Sequence, residues 1–473
     1  MNAKLESLNP YLAHFRAPPR DRYDEGRSRR DTVPLEAHAD TAVGPPRVDP
    51  LTVLQKQNLD QNRVPQLIPL RFGRMSYSPF TYLRGAAAVQ ASDLAAGQRT
   101  DLWVELCGDA HLGNFRWFNC PDRQPVFDLN DFDETLPGPF EWDVKRLAAS
   151  ITVAARISGF SAKKCRAATR AALRDYRESI IAASELSPLD LFYYRFRAED
   201  ALERVAQHGG KHRQWKKSVL AKAARKNSMR ALAELTAIVD GRRVIVPDPP
   251  RTVRIDDELA ERHWAEISQF FESYKETLPL DRRVLIDQFS LVDVARKVVG
   301  VGSVGTRCLI VLLESDDGTP LFLQFKQATR SVLEQYLGSS VFEQSGQRVV
   351  EGQRLIQATS DMFLGWSRWR NNDGTDIDFY FRQLWDGKGK ITVEELSPTR
   401  LAVFAGLCGK TLAFAHARSG DAMMIRGYIG EDETFDDLLV EYADRYADRT
   451  AADHAQLETA INDGQIEVVR DLE

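Results

Sequence analysis

CGDAHLGNF, residues Cys107 to Phe115, places Asp109, His111 and Asn114 within six positions. Twelve residues later comes DLNDFDETLPGPFEWD, Asp128 to Asp143, with four carboxylates in its first seven positions: Asp128, Asp131, Asp133 and Glu134. Such a cluster repels itself unless water surrounds it or a cation sits between its members, a lysine or a metal ion. DLWVELCG reads as a strand running into the first stretch. In QPVFDLNDFDE the period of two puts Asp128 and Asp131 on opposite faces, so one of them is expected to meet a metal, and Asp131 is preferred. Asp-rich loops are also ordinary turns and caps, and His111 by itself reads as a residue that shapes the loop, with a substrate contact as the alternative.

The rest of the chain narrows the classes. Its 473 residues, 43% hydrophobic and 28% charged, are ordinary globular values with room for two or three domains or one two-lobed one. A net charge of -5 argues against a general nucleic-acid binder. Five cysteines stand far apart, at 107, 120, 165, 308 and 408, which fits a reducing compartment better than a disulfide framework or structural zinc. The first residues lack an apolar signal core and no run is long enough to span a membrane, so a cytoplasmic protein is expected. Residues 1–48 read as an extended arm, 49–290 as a mainly helical part, 291–396 as a strand-rich domain and 397–473 as closing helices. SPFTYLRG, ending in Arg84 and Gly85, starts a helix at Ser78-Pro79 and reads as packing, with an acceptor pocket as the alternative. The basic segment 211–230 reads as a solvated helix face, with a binding surface for an anionic substrate as the alternative.

At about residue 292 the texture changes to three strands, with GVGSVG, Gly300 to Gly305, between the first two. The glycines are followed by TRCLIVLLES, which is β-branched and apolar, so a glycine-rich hairpin is favoured over the strand-to-helix turn of a dinucleotide fold. Lys326 lies in the third strand, in FLQFKQA, where an ammonium needs a partner. In a kinase-type site a strand lysine contacts nucleotide phosphates and pairs with a helix glutamate. Glu351 is the candidate partner, with Glu343 and Glu334 as alternatives. IDFYFRQLWDGKGKITV reads as a strand pair leading into a lobe linker.

Taken in order, GDAHLGN, NDFDE and WDVKRLA resemble the catalytic signature of aminoglycoside phosphotransferase-like, small-molecule kinases. More closely, RMSYSPFTYLRGAA, ELCGDAHLGNF, VFDLNDFDETLPGPFEWDVKRLAAS, ARKVVGVGSVGTR and AHARSGD are similar to the bacterial family catalogued as domain of unknown function 2252. The resemblance implies an α+β, bilobal, protein-kinase-like fold using ATP and Mg²⁺. It makes Asp109 the catalytic base, Asp143 the brace of its loop, Asn114 and Asp131 the Mg²⁺ ligands with Asp133 as an alternative, and Gly300, Gly302, Gly305 and Lys326 the holders of the nucleotide. Two departures stand out: Cys107 replaces the usual His, and the catalytic loop precedes the glycine loop. The second implies a circular permutation, with the helix ending at Gly420 lying beside strand DLWVELCG. The function expected is phosphoryl transfer to a hydroxyl of a small molecule. AMP transfer, a nucleotide-binding pseudokinase and a metal-dependent hydrolase are the alternatives, and neither nucleic acid nor membrane is expected as a partner.

Overall fold

Helix Glu141–Ile157 is buried on every side from Glu141 to Ala155, as a helix at the centre of a helical unit must be. Helices Ala162–Ser184, Pro398–Ser419, Thr434–Asn462 and the short Pro79–Gly85 pack around it, and Ala422–Ile429 packs on Ala162–Ser184. The computed structural model describes residues 17–41, 47–197, 199–200, 228–249, 252–254, 264–298, 300–371, 374–384 and 391–470. Pro398–Ser419 and Ala162–Ser184 approach at backbone distance: a Cβ on Gly409 would stand 2.0 Å from the carbonyl oxygen of Ala172. None of the described helices is long and apolar enough to cross a membrane.

The second unit is an antiparallel sheet. Its strands lie in the spatial order Gly365–Arg370, Asp376–Gln383, Pro320–Ala328, Cys308–Ser315, Phe289–Lys297 and Thr252–Arg254. Alternation along Pro320–Ala328 sends Leu321, Leu323 and Phe325 into a core with Phe270 and Tyr274 of helix Trp264–Glu276. Phe322, on the other face, packs with Ile310, Leu312 and Ala231. Lys326 falls on the Phe322 face, at the end of the strand nearest the helical unit. Helix Ser345–Ile356 joins the two units: Gly346 lies against the Phe379 carbonyl of the sheet, and Gly352 against Thr135 and Glu105 of the acidic region.

Several boundaries differ from those read in the sequence. Asp376–Gln383 pairs with the upstream strand Gly365–Arg370 on one side and with Pro320–Ala328 on the other, not with the segment after it; residues 385–390 of the expected pair lie outside the described residues. The sheet unit begins well before residue 291, because residues 228–286 include Thr252–Arg254, which pairs with Phe289–Lys297, and helix Trp264–Glu276. Short strands there alternate too briefly to stand out from helical surroundings. Residues 17–41, read as part of an extended arm, form helix Pro19–Ser28 and dock on the C-terminal helices, with Arg22 on Asp421 at 3.0 Å and His38 on the Tyr428 hydroxyl at 2.6 Å. Most of the basic segment 211–230 lies outside the described residues.

The end of helix Pro398–Ser419 meets strand Trp103–Leu106. Glu105 N donates to Ser419 Oγ at 3.2 Å, and a Cβ on Gly420 would fall 2.5 Å from Val104 Cγ1. Over three hundred residues of chain thus close onto the strand that opens the acidic loop.

The contact at Gly409 has a direct consequence. Gly409→Ala is expected to lower stability in urea denaturation by about 1–3 kcal/mol, the usual cost of overpacking, although alanine favours helix.

Candidate active site

The loop after strand Trp103–Leu106 turns at Gly108, whose φ of 80° is a left-handed conformation that glycine takes without strain. Cys107 N and Gly108 N donate to the two carboxylate oxygens of Asp143, at 2.7 and 3.0 Å. Asp143 sits in the first turn of helix Glu141–Ile157, where the helix dipole favours a carboxylate. It stands behind the loop, with His416 Nε2 at 3.5 Å on its far side. Burial pushes the Cys107 thiol well above its ordinary value, and the neutral thiol donates to the Asp131 carbonyl at 3.1 Å. One cysteine therefore ties the loop to the acidic segment.

His111 is buried, and its Nδ1 accepts from Gly113 N at 3.0 Å, which leaves Nε2 as the protonated nitrogen of a neutral ring. Burial, then the charges of Arg84, Arg146 and Arg116, hold it well below the ordinary histidine range. Its Nε2 is 3.8 Å from Asp109 Oδ2. Asp109 Oδ1 receives Arg146 Nε at 2.8 Å and Nη2 at 2.7 Å. Burial pushes the Asp109 carboxyl up to about 6, with Arg146 opposing. Asn114 Nδ2 donates to the Asp109 carbonyl at 2.6 Å, which fixes the amide and leaves its Oδ1 for another partner.

Lys326, 2% exposed, brings the sheet unit to this loop. Its Nζ lies 2.6 Å from Asp133 Oδ2 and 3.6 Å from Asp131 Oδ1. Tyr380 OH donates to Asp133 Oδ1 at 2.7 Å. Burial alone would raise Asp133, but the charge and hydrogen bond of Lys326 outweigh it and hold the carboxyl below its usual value. The same carboxylates hold Lys326 well above the ordinary lysine range despite its own burial. Asp128 points away, as its strand face requires; its Oδ2 accepts from Ala358 N at 3.2 Å.

The expected pair between Lys326 and Glu351 does not form. Glu351 meets Arg354 at 3.0 Å, one helical turn on. The inward face of helix Ser345–Ile356 runs instead through Arg348 and Gly352, four apart, and Glu351 falls at its margin. Arg348 donates to the carbonyl oxygens of Thr135, Asp133 (2.7 Å) and Thr329 (2.9 Å), so the helix holds the backbone of the acidic segment rather than the lysine. Glu334 pairs with Arg330 at 2.9 Å and Glu343 is exposed.

The glycine loop closes over the carboxylates. Gly300 and Gly302 line a cavity of about 100 Å³ together with Asp109, His111, Asn114, Asp131, Asp133 and Glu134. Gly305 lies behind, its carbonyl accepting from Val64 N at 2.8 Å. Arg74 donates to the Gly300 carbonyl at 2.6 Å and Arg63 to that of Val304, so the N-terminal helices grip the loop from outside. Arg63, Arg84 and Arg116 also line the cavity. A wider cleft of about 550 Å³, between helix Pro50–Asp60 and residues 330–336, shares Gln57 and Gln61 with it.

Sequence reasoning missed Arg146, Tyr380, Arg348 and the cavity arginines other than Arg84. The i, i+3 spacing of Asp143 and Arg146 puts both on one helix face and could have exposed the first. Tyr380 and Arg348 carry no local signal, because their roles arise from tertiary packing.

Lys326→Met leaves two carboxylates close together without their cation. Breaking a fully buried pair costs about 3–5 kcal/mol; because the Asp133 side chain is 30% exposed, a loss of about 2 kcal/mol is expected at pH 7. Asp133 has a lowered folded pKa, so the stabilisation is present above the unfolded carboxyl value and disappears as pH falls through the folded one. Urea denaturation of both proteins should therefore give a gap that is level from about pH 5 to 9 and narrows below about pH 4.

No curated protein and no solved structure matches the chain. A family model described as an uncharacterized protein conserved in bacteria, DUF2252, matches residues 63–460, and the chain belongs to that family.

Proposed function

We propose that this protein is an ATP- and Mg²⁺-dependent phosphotransferase acting on a hydroxyl of a small molecule, with the parts of a kinase in circularly permuted order. The observation that carries the reading is the meeting of Lys326 Nζ with Asp133 and Asp131, 2.6 and 3.6 Å away, two carboxylates that line one cavity with Asp109, Asn114 and two loop glycines. A glycine hairpin between the first two long strands, a lysine on the third and a helix after it is the succession of parts kinases use around nucleotide phosphates. The contact of Ser419 with Glu105 supports the permutation, since it brings the helix that would precede the catalytic loop to the strand that leads into it.

The donor set suits Mg²⁺. Among the described residues no three His, Cys, Asp or Glu side chains converge as a metal site. Mg²⁺ beside a nucleotide does not need three: it takes one or two protein oxygens and completes its shell with phosphate and water. Asn114 Oδ1 and Asp131 are such oxygens, and Asp131 Oδ1 is buried with no hydrogen-bond partner. Bound Mg²⁺ would neutralise the triphosphate. Asp109 would accept the proton of the attacking hydroxyl, with Arg146 holding it in place and His111 shaping the loop beside it. Lys326 would move between the carboxylates and the phosphates. A cavity of about 100 Å³ admits a few waters, whereas nucleotide sites are several times larger. Binding therefore requires the glycine hairpin and the helices that grip it to draw back.

Calorimetric titration with Mg²⁺ and a non-hydrolysable ATP analogue tests the reading. The wild type binds, Lys326→Met and Asp131→Asn each lose about tenfold or more, and Asp109→Asn stays within about twofold. Absence of binding at millimolar analogue, or loss in Asp109→Asn as large as in Lys326→Met, contradicts it.

A further inference from the structure

The carboxylates of the cavity have other contacts: Arg146 holds Asp109, Lys326 is shared by Asp133 and, at 3.6 Å, Asp131, and Glu134 Oε2 accepts from Val332 N at 2.7 Å. Three guanidinium groups in the same wall are left over. The Nε atoms of Arg63, Arg84 and Arg116 are all buried without a hydrogen-bond partner. Arg63 is 5% exposed and uses its other nitrogens on Val304 and Gln61. Arg84 acts by charge on Asp109 and Arg116 on Asp131, but among the described residues the Nε of each is left without a hydrogen-bond partner. Arg84 and Arg116 are half-buried with their Nε atoms out of contact with solvent, and the planar fork of arginine is suited to oxyanions.

Their position sets them beside the loop of Asp109. Arg84 ends the short helix Pro79–Gly85, its Nε 3.8 Å from where a Cβ on Gly113 would stand and its carbonyl 3.2 Å from a Cβ on Gly302. It therefore lies between the catalytic-loop turn and the glycine loop. Arg116 is two residues beyond Asn114, and its charge acts on His111 together with that of Arg84. Lys326 meets the cavity carboxylates Asp131 and Asp133, and the charge of Asp131 also acts on Arg116. Arg84, whose charge acts on Asp109, and Arg116 thus border the loop that carries Asp109 and Asn114.

We propose that Arg84 and Arg116, backed by Arg63, form an anion subsite on the acceptor side of Asp109, so that the acceptor carries a phosphate or carboxylate besides the hydroxyl it presents. This rests on the phosphotransferase reading for the word acceptor, but the subsite itself does not. An oxyanion there completes the hydrogen bonding of three buried donors and orients the second substrate next to the base.

Inorganic phosphate is the probe, titrated into the full chain by calorimetry at constant ionic strength, with and without saturating Mg²⁺ and the non-hydrolysable ATP analogue. The wild type is expected to bind phosphate equally well in both states. Arg84→Gln and Arg116→Gln should each weaken phosphate about tenfold while leaving the analogue within about twofold, and Arg370→Gln, on an exposed strand end, should change neither. Arg84→Lys keeps the charge without the fork, and an intermediate loss of about threefold is expected, which covers the case in which Arg84→Gln does not fold. Phosphate binding that survives both glutamine variants overturns the proposal. So does mutual exclusion of phosphate and analogue with parallel loss of both, since the arginines would then hold the nucleotide. Phosphate binding with the expected variant losses but no analogue binding would leave the subsite standing and remove the phosphotransferase reading instead.

Discussion

A lysine ammonium buried at 2% exposure is tolerable only where carboxylates meet it, and the carboxylates of an acidic loop are tolerable only where a cation does. Lys326 and the pair Asp131 and Asp133 satisfy each other across nearly two hundred residues of chain. The sheet holds the lysine and the helical unit holds the carboxylates, so the architecture must bring the two together. Helix Ser345–Ile356 stiffens the junction through Arg348, and Cys107 and Asp143 fix the loop on the other side.

The cavity is held in tension between two kinds of charge. Arg146 restrains Asp109, burial raises the same carboxyl, and burial together with the arginines beside it keeps His111 neutral. The glycine loop is gripped by Arg63 and the backbone of Val64, in the turn after helix Pro50–Asp60, and by Arg74 of helix Ile68–Met75. Residues that in the sequence look like an unremarkable helical lead-in, 49 to 95, are therefore the roof of the site.

Much of this was legible in the sequence because it depends on local chemistry. The glycine hairpin, the lone lysine in an apolar strand and the loop carboxylates each announce a local requirement: a turn, a counter-ion, a cation. The period of two also separated Asp128 from Asp131 correctly as to face. What could not be read depends on packing at a distance. Glu351 looked like a partner for Lys326 because it lies on the following helix, but helical phase turns Arg348 and Gly352 inward instead. The strand Gly365–Arg370 was hidden because its pairing, not its composition, makes it a strand. Arg84 was read as packing, and only the fold sets it beside Asp109 and Arg116 in one cavity.

The proposed transfer of a phosphoryl group from ATP is tested most directly by incubation of the purified protein with Mg²⁺, a metabolite extract and ATP labelled either at the γ- or at the α-phosphate. Label from γ-ATP is expected to enter a small, anionic metabolite, label from α-ATP is not, and Asp109→Asn is expected to abolish the transfer. Transfer of the α label would assign nucleotidyl chemistry to the site, and no transfer of either label, with extract that supports other kinases, would rule out a phosphotransferase.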